Sequence, residues 1–205
     1  MFKKIMSLIL VSLIISGCAT TVSNTKKETL VNINKLPETT LNYTELPGKA
    51  DMSGYSLLKD DNPAYSQLDL NEFADKYDNK ALNDGVYYFG FESCPYCQQA
   101  VPVLNYALKE KNTYAYYVNI YTSRFDENGN KTEHGDEYYA RAQEFLDKYL
   151  DDDKVVYAPA VVFVKNGKIK QYTLGLETKN GKIKLAKKDQ NHLLDVYRKG
   201  LNKIK

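Results

Sequence analysis

The chain has 205 residues with 28 Lys and Arg against 26 Asp and Glu, a formal net charge of +2 that is carried entirely by Lys3 and Lys4 if the leading segment is removed. A neutral remainder argues against a basic nucleic-acid surface and assigns the lysines and acids to a mixed, solvated exterior. The length allows one domain of ordinary size with an adequate core, and three cysteines, Cys18, Cys94 and Cys97, cannot supply a disulfide framework.

Residues 1–17 form a targeting segment: a basic start, an apolar run from Ile5 to Ile15, then the small residues Ser16 and Gly17. The run is too short for a comfortable transmembrane helix. Ile15-Ser16-Gly17-Cys18 resembles the lipobox of bacterial lipoproteins, which implies lipidation at Cys18 and a domain held at the extracytoplasmic face of the cell membrane. An uncleaved signal anchor is the competing reading, with the same topology. From residue 18 to about Leu46 the chain is rich in Thr, Asn and Lys with scattered apolar residues, the composition of a flexible tether.

Residues 47–83 are expected to form an N-terminal extension, punctuated by turns at Pro47-Gly48 and Asp60-Asp61-Asn62-Pro63. Asp69 followed by Glu72 predicts a capping box for a helix over Leu70 to Tyr77. Beyond residue 84 the periods alternate: strand Val86 to Phe91, helix Pro95 to Lys109, strand Tyr114 to Tyr121, a polar loop to Gly135 and helix Asp136 to Leu150. The loop's Asp126 to Asn130 lacks the full spacing of a calcium-binding loop and reads as a turn. Ala160 to Val164 and Ile169 to Leu174 flank Asn166-Gly167, a strong hairpin signal. Gly181 to Ala186 is a candidate further strand, and Leu193, Leu194, Tyr197 and Leu201 give a closing amphipathic helix, Gln190 to Ile204, its buried face. The chain's 18 tyrosines, with no tryptophan, read as core, strand and surface aromatics.

Cys94-Pro95-Tyr96-Cys97 lies between the first of these strands and its helix, so Cys94 falls at the helix N-terminus. Unpaired N–H groups and the positive end of the helix dipole there favour a thiolate, making Cys94 the attacking sulfur. Pro95 suits the first helical turn, and Cys97, one turn further in, is placed to resolve a mixed disulfide. Haem attachment would need His where Gln98 stands, and a structural zinc site would have to draw on Cys18, His134 and His192, which show no ligand spacing.

The order of elements, the Cys-Pro-Tyr-Cys motif and Ala158-Pro159 ahead of a Lys-Asn-Gly hairpin resemble the thioredoxin superfamily over roughly residues 84–204. The resemblance implies an α/β fold, a central mixed β-sheet flanked by helices. It makes Cys94 the nucleophile and Cys97 the resolving thiol, and gives Pro159 a preceding cis bond beside the site. The backbone of Ala158 then pairs with an extended substrate, with Pro95 and Tyr96 also at the substrate surface. No cofactor is implied beyond the Cys94–Cys97 disulfide. Tyr88 departs from the pattern, standing where thioredoxins carry a buried acid. Glu92, two residues before Cys94, is expected to be solvated. The stretch Phe89 to Cys97 is also similar to thioredoxin-like proteins of the bacteriocin transport accessory type from Gram-positive bacteria.

These features lead to the expectation of a membrane-tethered, monomeric thiol-disulfide oxidoreductase. Its partners would be exported proteins or peptides bearing thiols or disulfides and a membrane redox protein. Direction of electron flow stays open, because such motifs span roughly −270 to −120 mV. Two competing classes remain: a noncatalytic docking protein for a secretion or bacteriocin export system, and delivery of Cu(I) by the dithiol.

Overall fold

Both faces of strand β2 (Gly85–Gly90) are covered, which is why the strand is apolar almost throughout. In the computed structural model, which describes residues 30–175 and 184–205, Val86 and Tyr88 enter one core and Tyr87 and Phe89 the other. The first core is closed by helices α2 (Pro95–Glu110) and α4 (Lys187–Lys203), the second by α1 (Leu70–Asp78) and α3 (Gly135–Leu146). The result is an α/β architecture: a five-stranded mixed sheet between two helical layers.

The sheet order is β1-β3-β2-β4-β5. Strands β1 (Tyr65–Gln67) and β3 (Ala115–Asn119) run parallel to β2, β4 (Ala160–Lys165) runs antiparallel to it, and β5 (Lys168–Leu174) pairs with β4. Asn166 and Gly167 have φ of 52° and 65°, the double positive-φ conformation of the tight β4–β5 turn that Asn-Gly predicts. Because Phe89 pairs with Ala160, the start of β4 lies beside the end of β2, where α2 begins. This register brings Ala158-Pro159 to Cys94.

Element boundaries in the second half follow the sequence pattern closely, with α3 giving way to a 3-10 turn at Asp147–Tyr149 and α4 starting at Lys187. Asp126 to Asn130 forms a turn in which the Asp126 carboxylate accepts from the N–H groups of Asn128 and Asn130. The expected strand at 181–186 lies partly outside the described residues, and residues 184–186 are not strand. The expected targeting segment, residues 1–17, and Cys18 also lie outside them. Among the described residues no helix is long and apolar enough to cross a membrane.

Three expectations are corrected. The tether does not extend to residue 46: Ile33, Tyr43 and Leu46 are buried, Val31 exchanges hydrogen bonds with the Asn191 side chain, and Tyr43 donates to the Thr113 carbonyl. Its anchors are isolated side chains without a regular period, so composition reads as spacer. A division at residue 84 would cut through one sheet, because β1 of the extension pairs with β3. Asp69 takes the extended N-cap conformation but makes no side-chain cap, its carboxylate accepting instead from the Gln67 amide.

A buried ion pair pins the extension to α2. Lys109 Nζ lies 2.5 Å from Asp60, with side chains only 9% and 6% exposed, and Asn105 Nδ2 donates to the same carboxylate at 2.8 Å. Burial opposes the Asp60 carboxylate, but the bonds from Lys109, Asn105 and the Asn62 N–H outweigh it and hold its pKa below the usual value. Lys109→Met leaves that charge buried without its partner and is expected to cost about 3 kcal/mol, read as a lower urea midpoint. A depressed carboxylate pKa stabilises the fold above the ordinary carboxylate range and ceases to as pH falls through the depressed value, so the gap between wild type and variant should narrow in acid.

Candidate functional site

Cys94 is the N-cap of α2, with extended backbone angles (φ −76°, ψ 116°) and Pro95 as the first helical residue. At this position its sulfur faces the unpaired N–H groups of the first turn and accepts from Cys97 N–H at 3.3 Å. The Cys97 side chain is the largest influence lowering the Cys94 thiol pKa, joined by the N–H groups of Cys97 and Tyr96, while burial opposes them; the value falls to about 7. Glu92 is exposed and is not among the groups that act on Cys94. The site therefore favours charge on Cys94 and the proton on Cys97.

Cys97 is 0% exposed, against 5% for Cys94, and both thiols are free. Burial is the main cause that pushes its pKa far above the ordinary thiol range, reinforced by Cys94 and opposed by the Tyr88 hydroxyl and the Phe91 backbone. Tyr88 belongs to a buried hydroxyl cluster. Its oxygen is 3.1 Å from that of Tyr55, Tyr55 donates to Tyr117 at 3.2 Å, and Asn119 Nδ2 donates to Tyr117 at 3.0 Å. The Tyr88 and Tyr117 rings stack on neighbouring strands with centroids 5.5 Å apart. A Cβ on Gly90 would collide with the Tyr88 hydroxyl, so the glycine after Phe89 makes room for this side chain.

The Ala158-Pro159 bond is cis, and the Cys94 thiol donates to the Ala158 carbonyl at 3.5 Å. Pro159 is buried, and its carbonyl accepts from Gly175 N–H at 3.0 Å; a side chain at 175 would strike the Pro159 ring. Pro95 and Tyr96 are exposed, the latter at 37%. The structure thus gathers Cys94, Pro95, Tyr96, Cys97, Ala158 and Pro159 in one place. Among the described residues no three His, Cys, Asp or Glu side chains converge as a metal cluster.

Sequence reasoning missed the contribution of the extension. Gln98 Nε2 donates to the carbonyls of Gly54 and Glu92, and Ser56 donates to Gln98 Oε1, fastening the loop that carries Tyr55 over the first turn of α2. No spacing signal marks Tyr55, although Tyr88 and Tyr117 are at inward positions that strand alternation can identify.

Chemically, the arrangement is a nucleophilic thiolate beside a buried reserve thiol. Alkylation of the reduced protein should occur first at Cys94, with a rate that rises with pH about a midpoint near 7 and falls as Cys94 is protonated below it. Cys97 should resist alkylation until the protein is unfolded, as peptide mapping at each pH would show.

No protein-family model matches the chain, and no curated protein matches it.

Proposed function

We propose that the protein is a thiol-disulfide oxidoreductase with a thioredoxin-like fold, tethered through lipid on Cys18 to the extracytoplasmic face of the membrane. The observation that carries the reading is the division of labour between Cys94, at a helix N-terminus with its pKa lowered to about 7, and Cys97, fully buried one turn later. The strand order, the cis bond before Pro159 and the Ala158 carbonyl beside Cys94 support the same fold and site. Similarity to the bacteriocin transport accessory type makes exported peptides and proteins the fitting substrates.

In the reducing direction the Cys94 thiolate attacks a substrate disulfide. One substrate sulfur joins Cys94 and the other leaves as a thiolate. Cys97 then loses its proton and attacks the Cys94 sulfur, forming the Cys94–Cys97 disulfide and releasing the second substrate sulfur as a thiolate. Two electrons pass from the dithiol to the substrate, and a membrane redox partner returns them; the oxidising direction reverses every step. Ala158, paired with an extended substrate strand, would align the attacked sulfur through main-chain contacts.

Cys94→Ser should abolish exchange with a fluorescent peptide disulfide, whereas Cys97→Ser should accumulate a mixed disulfide visible on a non-reducing gel. Full exchange activity in Cys94→Ser would overturn the proposal.

Direction of flow follows from how strongly the reduced form is stabilised. A strong oxidant holds its thiolate at a pKa of about 3.5, and a Cys94 value near 7 falls far short of that. Redox titration against a thiol buffer should therefore give a potential below about −200 mV, toward the reductase end.

A further inference from the structure

The loops around Cys94 carry a second layer of information, which rests on the oxidoreductase reading above and bears on the choice of substrate. The ends of β2 and β3, the start of β4 and the end of β5 all lie at one end of the sheet. Seven large apolar side chains are exposed among the described residues, and four of them, Tyr96, Tyr121, Tyr157 and Leu174, belong to this end. Tyr96 lies in the first turn of α2, and Tyr157 precedes Ala158, whose carbonyl the Cys94 thiol reaches. Leu174 pairs with Ala160, next to Pro159. Tyr121 follows β3, on the other side of β2 from β4, its ring 5.4 Å from Phe91 and 5.2 Å from Phe125. Apolar surface gathered around one reactive sulfur, on both sides of it, fits a segment with apolar side chains flanking its own cysteine.

Charge in the same loops is one-sided. Residues 91–94, 120–134 and 150–158 contain seven carboxylates, Glu92, Asp126, Glu127, Glu133 and Asp151 to Asp153, all exposed, against three Lys or Arg. Those three cations are engaged by other acids: Arg124 and Lys131 by Asp136, and Lys154 by Asp147 at 2.9 Å. Among the described residues none of the seven carboxylates pairs with a lysine or arginine. They border the apolar patch, since Asp153 accepts from the Tyr157 hydroxyl, Glu92 stands two residues before Cys94 and Asp126 follows Phe125. The chain as a whole has a net charge of +2, so the acid excess is local to this end.

We propose that this end of the sheet selects cationic substrate segments: extended stretches whose disulfide sulfur is flanked by aromatic or aliphatic side chains and, just beyond them, by Lys or Arg. The apolar neighbours cover Tyr96, Tyr157 and Leu174 on one side and Tyr121 on the other. The basic residues meet the carboxylates at the rim, which attract them over a Debye length of about 8 Å at physiological ionic strength. A segment with Asp or Glu at the same positions meets like charge and is turned away.

The test uses the full chain carrying Cys18→Ser, so that Cys94 and Cys97 are the only thiols. Three peptides carry the same quenched disulfide with Tyr and Leu beside its cysteine, and differ only in having Lys, Gln or Glu at the flanking positions. The reduced protein passes two electrons to each disulfide and ends as the Cys94–Cys97 disulfide, while the freed peptide fluoresces. Rates are divided by those of dithiothreitol with the same peptide, which removes what charge does to the disulfide and to any attacking thiolate. At about 0.01 M ionic strength the Lys peptide is expected to react about tenfold or more faster than the Glu peptide, with the Gln peptide between them. At about 1 M, where the Debye length is about 3 Å, the ratio should fall toward one. Glu127→Gln with Asp151→Asn and Asp152→Asn should lower the ratio about threefold or more and leave the Gln peptide unchanged. Tyr121→Ser should slow all three peptides at both ionic strengths, because apolar contact is not screened.

Equal normalised rates for the Lys and Glu peptides at low ionic strength would overturn the charge selection, as would a ratio that the three substitutions do not lower. Unchanged rates in Tyr121→Ser would overturn the apolar part. A chain that reduces none of the three peptides, the Gln peptide included, would instead refute the oxidoreductase reading itself.

Discussion

Two sulfurs one helical turn apart occupy different electrostatic environments, and the elements around them set that difference. A helix supplies about 5.4 Å per turn, enough to carry the chain from the surface into the core. Cys94 takes the cap position, where N–H groups without helical partners stabilise negative charge, and Cys97 enters a core that penalises it. This works only if α2 starts at the end of a strand covered on both faces. Strand β2 is such a strand, flanked by β3 and β4 and roofed on one side by α2 and α4.

A carboxylate beneath Cys97 would have to be desolvated in the same place. The chain avoids that cost by building the floor from phenols, which remain neutral and satisfy one another. Edge-on and stacked contacts among Tyr55, Tyr65, Tyr88 and Tyr117 add packing to the hydrogen bonds.

What could be read from the chain was whatever depends on neighbours in sequence. Short continuous apolar runs marked β2 and β4, Asn166-Gly167 marked the hairpin, and the cap position of Cys94 followed from a strand running into a helix. Strand β1 escaped because three residues at a sheet edge carry too little alternation to register. Residues 30–46 escaped for a different reason. Their buried side chains answer to the surface of α2 and α4 and not to a period of their own, so Ile33, Tyr43 and Leu46 look scattered until the helices are in place. Tyr55 is the same case inside the site: its role exists only because β2 and β3 set Tyr88 and Tyr117 side by side.

The N-terminal segment is therefore structural in a stronger sense than a connection to an anchor. Val31 is tied to α4, Thr40 and Tyr43 to the loop after α2, Asp60 to Lys109, and Gly54 to Gln98. The last two contacts hold residues 47–63 against α2, and this stretch contributes Tyr55 to the environment of Cys97. Tyr55 belongs to the surroundings of Cys97, whereas the cap bonds of the Cys94 sulfur lie within α2 and the Ala158 loop. The surroundings of the two cysteines thus draw on different parts of the molecule.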